Sequence, residues 1–148
     1  ELIVQGLFQI DEIDRAIGIF ETFCIDPEAP DYCKPTIATL HLVLRGLQKL
    51  GDASRSVRFF GTFFSGNIPE LYVQPHTDTV NILLQTLVSD EDFFKCRDVY
   101  EEYFSGENAL KPNDETREIM KKCVIDERDF QEKKRLSDME LHSREVGV

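Results

Sequence analysis

The chain has 148 residues, 41% of them hydrophobic, and its formal net charge is −11, from 17 basic and 28 acidic residues. Such an acidic surface should repel nucleic acids, because the neutralisation of phosphates by basic side chains supplies most non-specific affinity. No apolar run approaches the roughly 20 residues that a membrane-spanning helix needs, so no transmembrane segment is expected. The composition suits one helical domain, or three to four stacked hairpins that share a core.

The opening of the chain predicts a partial repeat. Residues 1–8 are expected to complete a first helix, and residues 11–23 to form a second helix. Because the template is matched only from the middle of the first helix onward, we expect the chain to begin inside a repeat. It is therefore expected to be part of a longer protein.

The segment 34–64 predicts two helices joined by a short turn. Apolar residues at helical spacing mark the first helix: Leu40, Val43, Leu44 and Leu47. Gly51 tolerates the left-handed conformation that ends a helix, and Asp52 can cap the next one. The second helix has its own apolar stripe: Val57, Phe60, Phe63 and Phe64. A turn this short forces the two helices to pack antiparallel.

This unit is repeated along the chain. Pro35, Pro75 and Pro112 each open a unit, at spacings of 40 and 37 residues, and each is followed by a threonine and an apolar run. The resulting units are a partial repeat 1–34, repeats 35–74 and 75–111, and a degenerate repeat with capping helices, 112–148. The sequence therefore predicts an all-α fold, an α-solenoid of antiparallel helix-turn-helix repeats.

The later units are predicted with decreasing regularity. The third unit has helices at about 77–88 and 91–104, and we interpret the acidic turn 89–92 as a helix cap rather than a metal site. In the fourth unit, a helix at 114–124 is followed by a segment, 126–144, that is mostly charged with a thin apolar stripe. That segment either caps the solenoid or lies on a neighbouring chain.

Polar insertions follow the second helix of each unit, at 24–32, 65–72 and 105–110. All three leave the second helix at the same point, so they should line one edge of the stack. Such an edge is either a neutral surface or a docking surface for a partner.

The four cysteines show no metal-binding spacing. They are Cys24, Cys33, Cys96 and Cys123. We interpret them as free thiols of a reducing compartment, although Cys24 and Cys33 share one loop and could pair.

The unit from Pro35 resembles the pentatricopeptide repeat, a pattern of about 35 residues. The matching positions are Pro35, Thr39, Leu44, Gly46, Leu47, Lys49, Gly51 and Phe60. The resemblance covers residues 1 to about 123. The tetratricopeptide repeat is the nearest competitor, but its pattern has a Trp, a Leu-Gly pair and a Tyr in the first helix, and this chain has no Trp.

The resemblance implies a set of RNA-reading positions. In that family the first helices line a concave face, and each repeat reads one base with two or three side chains. The implied pairs are Glu1 with Thr36, His41 with His76, and Asn81 with Asn113, and Ala38 takes the place of the residue that sandwiches a base. Asn81 with Asn113 is the pair that looks like a base reader, of the pyrimidine-preferring type.

Two functions stay open. The resemblance implies an RNA-binding module of an organellar protein, mitochondrial rather than chloroplast, that acts on single-stranded RNA in transcript stabilisation, processing or translation. However, carboxylates fall on or near the expected RNA face, at Glu1, Asp78, Glu115 and Glu118. The alternative is therefore a protein-interaction scaffold within a mitochondrial ribonucleoprotein or ribosome-associated assembly, without direct base reading.

Catalysis is not expected from this sequence. A catalytic site needs a nucleophile, acid or base that converge in a pocket, and His41, His76 and His142 show no spacing of that kind. His41 and His76 could lie near each other across one groove, but two histidines alone bind metal poorly. No cofactor or metal is implied.

Overall fold

The structure, a computed structural model, describes residues 12–23, 28, 30 and 34–147, without the side chain of Phe23. Within these ranges the fold is all-helical, with six α-helices and no strand. The helices are α1 (Ile13–Phe23), α2 (Ile37–Leu50), α3 (Ala53–Phe64), α4 (Thr77–Ser89), α5 (Phe93–Phe104) and α6 (Asp114–Val146). Residues 1–8, Glu1, Cys24 and Cys33, on which several predictions rest, lie outside the described residues.

Helices α2 and α3 form the predicted hairpin, and its turn has the predicted chemistry. Gly51 ends α2 with φ 69°, in the left-handed region, and its N–H contacts the last carbonyls of the helix. Asp52 caps α3, because its side chain accepts a hydrogen bond from the backbone N–H of Arg55 at 3.1 Å. The hairpin predicted from the sequence is therefore confirmed, together with its two cap residues.

Helices α4 and α5 form a second hairpin with an equivalent turn. Asp92 caps α5 by accepting from the N–H of Lys95 at 3.1 Å. Glu91 has φ 60° and takes the left-handed position that Gly51 occupies in the first hairpin. The turn predicted at 89–92 is confirmed, but it places an ordinary L-residue where the backbone favours glycine.

Helix α4 is the centre of the packing. It contacts α2, α3, α5 and α6. Nine of its residues are buried: Thr79, Val80, Asn81, Ile82, Leu83, Leu84, Thr86, Leu87 and Val88. The core continues into α1 and α3 through an aromatic cluster in which Phe63, fully buried, lies 5.8 Å from Phe20 and 5.0 Å from Phe59 between ring centroids.

The predicted division at the C-terminus is wrong. The sequence predicts a helix at 114–124 and a separate segment at 126–144, but α6 runs unbroken from Asp114 to Val146. No Pro or Gly lies between these two residues, so nothing in the backbone ends the helix. Phe130 contacts Phe93 at 6.1 Å between ring centroids, and residues 131–147 beyond it are exposed.

The two described exits from the second helices are built alike. In the first hairpin the N–H of Val73 donates to the carbonyl of Phe63 at 2.8 Å, and in the second the N–H of Leu110 donates to Tyr103 at 2.9 Å. Each exit begins with a Ser-Gly pair whose glycine has positive φ, 79° at Gly66 and 102° at Gly106. The connections that contain the insertions 65–72 and 105–110 are therefore anchored at matching backbone positions.

Candidate functional site

The candidate site is the face formed by α2, α4 and α6, which we call the even-helix face. The described members of the predicted reading set all belong to these three helices or to the residues that open them. Thr36 and Ala38 are exposed at the start of α2, and Thr36 Oγ1 accepts from the N–H of Thr39 at 3.4 Å as the helix cap. The structure thus places these residues within α2, α4 and α6 or directly before them.

Asn81 and Asn113 lie next to each other, as the repeat register predicts. Asn81 Nδ2 donates to Asn113 Oδ1 at 3.1 Å, and Thr116 Oγ1 donates to Asn81 Oδ1 at 2.8 Å. Asn113 is also the cap of α6, since its Oδ1 accepts from the N–H of Thr116 at 3.0 Å. Asn81 is only 1% exposed. Both amides therefore have protein partners, and that of Asn81 is withdrawn from the surface.

His41 and His76 form the corresponding pair one unit earlier. His41 Nε2 lies 2.7 Å from Thr79 Oγ1, and the backbone N–H of His76 donates to the same hydroxyl at 3.0 Å. Partial burial of the His41 ring lowers its pKa below 6.5, and Arg45 and His76 lower it further, while Asp78 acts in the opposite direction. His41 is thus held towards its neutral form beside Thr79.

A threonine at the third helical position joins each pair. Thr79 bridges His41 and His76, and Thr116 bridges Asn81 and Asn113. A threonine follows each opening proline in the sequence, but the repeat pattern alone predicts no role for it. The constant spacing of these threonines is a signal that could have identified them, because Thr39, Thr79 and Thr116 each lie four residues after a repeat proline. In the structure all three are buried.

Three of the carboxylates expected near this face are exposed on it, and the fourth, Glu1, lies outside the described residues. Asp78 accepts from Asn113 Nδ2 at 3.4 Å, Glu115 accepts from Gln85 Nε2 at 3.0 Å, and Glu118 pairs with Lys121 at 3.1 Å. All three are exposed. Gln85 also accepts from Gln48 Nε2 at 3.1 Å, so a row of amide contacts joins α2, α4 and α6.

A shallow depression of about 470 Å³ lies beside this row. Its lining includes Gln48, Gln85, Glu115, Glu118 and Lys122. One amine faces two carboxylates there, so the depression has no excess of positive charge that would attract a phosphate backbone.

The described cysteines and acidic groups form no reactive centre. Cys96 and Cys123 are free and buried, and burial raises the pKa of both thiols. In the part of the chain that the structure describes, no group of three His, Cys, Asp or Glu side chains is arranged to hold a metal ion. Such thiols lack the thiolate character that a nucleophile or metal ligand requires.

A second depression lies between the two described insertions, and we call it the loop groove. It has a volume of about 470 Å³ and is lined by Phe64, Pro69, Tyr72, Glu102, Tyr103 and Leu110, among others. Burial raises the pKa of Tyr103 to about 12, and the neighbouring Glu102 and Tyr72 add to the shift. The two tyrosines and the carboxylate therefore share one local environment.

None of the helices in the described ranges has the length and hydropathy needed to cross a lipid bilayer. Comparisons of the chain with known protein families, with curated proteins and with solved structures find no match.

Proposed function

We propose that this chain is a helical-repeat scaffold for protein interaction, with its hairpins stacked as an α-solenoid. The pattern of contacts between helices supports the solenoid. Helix α2 contacts α4, α4 contacts α6, and each odd-numbered helix packs on the even-numbered helix that follows it. Stacked hairpins of this kind contact only their neighbours in sequence and expose an extended surface to a partner.

The burial of Asn81 is the observation that favours a scaffold over an RNA reader. A base reader needs free amide donors and acceptors, since single-stranded bases are recognised by hydrogen bonds at their edges. The side-chain carbonyl of Asn81 accepts from Thr116, and one N–H of its amide donates to Asn113. A base could reach Asn81 only by displacing these contacts, and Asn113 Oδ1, which accepts one of them, also caps α6.

Charge supports the same proposal. The protein has 28 acidic and 17 basic residues, and Asp78, Glu115 and Glu118 are exposed on the even-helix face. Phosphate groups would meet these carboxylates at short range, where like-charge repulsion costs binding energy. A protein partner with a basic or mixed surface would meet no such penalty.

RNA selection on the purified chain tests this proposal. A randomised single-stranded RNA pool is incubated with the protein at about 50 mM and about 200 mM salt, a range over which phosphate-driven binding changes strongly. We expect no enrichment at either salt concentration. Salt-sensitive enrichment of a pyrimidine, lost in an Asn81→Ala, Asn113→Ala double variant, would instead establish base reading.

Thr116→Val is the matched control for the double variant. It removes the bridging hydroxyl and disturbs the same network, but it leaves both amides in place. If the amides read a base, RNA binding survives Thr116→Val and disappears in the double variant. If loss of binding merely reflects a disturbed network, both variants lose it equally.

Photo-crosslinking of the full-length protein in its own cells provides the positive test. A photoreactive amino acid replaces Ala38, which is exposed on the even-helix face. We expect crosslinked products that resist ribonuclease and contain a second protein. Products that ribonuclease converts to the free chain would contradict the scaffold proposal.

A further inference from the structure

The loop groove has a lining that suits a cationic side chain. Tyr72, which is 49% exposed, and Tyr103 both line the groove, and Tyr103 lies in edge contact with Phe60, 5.5 Å between ring centroids. Tyrosine faces attract lysine ammonium and arginine guanidinium groups through the ring quadrupole. The proline and aromatic lining around them supplies an apolar surface for the stem of such a side chain.

The rim of the groove is acidic and without basic partners. Glu102 belongs to the lining, Glu70 follows the lining residue Pro69, and Glu107 precedes the lining residue Asn108. All three glutamates are exposed, and no described basic group lies within 4 Å of any of them. The lining itself contains no lysine, arginine or histidine.

The groove is also preformed. Its lining includes residues of both insertions, and a backbone hydrogen bond fixes the end of each connection to its helix, Val73 to Phe63 at 2.8 Å and Leu110 to Tyr103 at 2.9 Å. A binding surface that is already ordered loses little conformational entropy when a partner docks.

We propose that the loop groove binds an arginine- or lysine-bearing segment of a partner protein, with the cationic group over Tyr72 and its charge balanced by Glu102. This inference rests on the proposed scaffold function and assigns the chemistry of one of its partners. The carboxylates around the groove oppose a nucleic acid and favour a basic peptide, so charge complementarity decides between the two.

Peptide binding to the purified chain tests the proposal. The probe is a fluorescein-labelled octapeptide of alternating arginine and serine, compared with octapeptides in which glutamine or glutamate replaces arginine. Fluorescence anisotropy should show saturable binding of the arginine peptide that weakens as salt rises, and none of the others. Equal binding of the glutamine peptide would overturn the proposal, because the cation would then contribute nothing.

Variants locate the binding. We expect Tyr72→Ala to weaken the arginine peptide about tenfold and Glu102→Gln about threefold, within the range of cation–π and partly exposed ionic contacts. The matched controls are Phe94→Ala, which removes an aromatic side chain 76% exposed outside the groove, and Asp98→Asn, one turn earlier on the helix of Glu102. Circular dichroism confirms that each variant is folded. If the controls weaken binding as much as the groove variants, the groove is not the site.

The outcome is separable from that of the RNA selection. If neither RNA nor the arginine peptide binds, the groove proposal fails while the scaffold proposal stands. If the pool binds RNA through Asn81 and Asn113, the scaffold proposal fails whatever the peptide does. Peptide binding that is weakened in Tyr72→Ala and is unaffected by the RNA pool supports both proposals.

Discussion

The two hairpins, α2 with α3 and α4 with α5, share one architecture and differ in how well each position is adapted to it. In the first hairpin, glycine holds the left-handed turn position and Phe63 is fully buried at the helix exit. In the second, Glu91 holds the same turn position, and Tyr103 at the equivalent exit is only partly buried. The backbone is therefore repeated more faithfully than the side chains, so equivalent substitutions should have unequal effects.

The largest difference is expected at the helix exits. Phe63→Ala removes a fully buried ring from the cluster with Phe20 and Phe59 and should lower the free energy of unfolding by about 3–5 kcal/mol. Tyr103→Ala should cost less than half as much, because that ring already faces the loop groove. Urea denaturation of both variants measures the difference. Equal losses would show that the second exit is packed as tightly as the first.

The paired side chains at His41 and Asn81 should differ next. Asn81→Ala removes a buried amide together with its hydrogen bonds to Thr116 and Asn113, so it should cost about 1–3 kcal/mol. His41→Ala removes one contact at a partly exposed position and should cost about 1 kcal/mol or less. A thermal melt of each variant gives the ranking, which a larger loss for His41→Ala would reverse.

The turn residues offer a test in opposite directions. Glu91→Gly should stabilise the protein by about 1 kcal/mol, because glycine adopts φ 60° without the steric cost that glutamate bears there. Gly51→Ala should destabilise by about the same amount, although nothing lies within 4 Å of the added Cβ. Denaturation midpoints of the two variants check the signs, and a destabilising Glu91→Gly would mean that the glutamate side chain contributes a contact of its own.

The smallest expected effect is a pH dependence of stability that arises from His41. The pKa of His41 is lowered below 6.5 in the folded state, so the unfolded chain binds more protons there. The contribution to stability is complete above pH 6.5 and is lost as the pH falls through the lowered pKa. His41→Gln should flatten this part of the stability profile, which denaturation midpoints measured at several pH values would show.

The sequence was informative about the hairpins because their signals are local. The periodic stripe of α2, the Gly51-Asp52 turn and the acidic turn before Phe93 each act within a few residues. The state of Asn81 could not be predicted in the same way. An asparagine at this spacing could either present a free amide to a base or bury its amide against Thr116. Only the packing of α6 distinguishes the two states.

The C-terminal helix α6 is longer than its hydrophobic pattern predicts. The thinning of its apolar residues predicts two separate segments, 114–124 and 126–144. However, a helix continues wherever the residues have favourable helix propensity and no breaker intervenes. Pairs one turn apart, such as Arg135 with Glu132 at 2.7 Å, are available along the exposed part. The apolar residues of a helix predict how much of it is buried, whereas residues that break the backbone pattern, such as Pro and Gly, determine where it ends.

The closed loops at the helix exits explain how one scaffold tolerates two repeat lengths. The prolines are 40 and 37 residues apart, and the segments between the anchoring residues, Phe63 to Val73 and Tyr103 to Leu110, differ by the same three residues. All of the length variation is therefore absorbed outside the helices, and the register of Thr79 and Thr116 with their partners is preserved. Residues added between such anchors should change the outline of one edge while leaving the helical body and its hydrogen-bonded pairs in place.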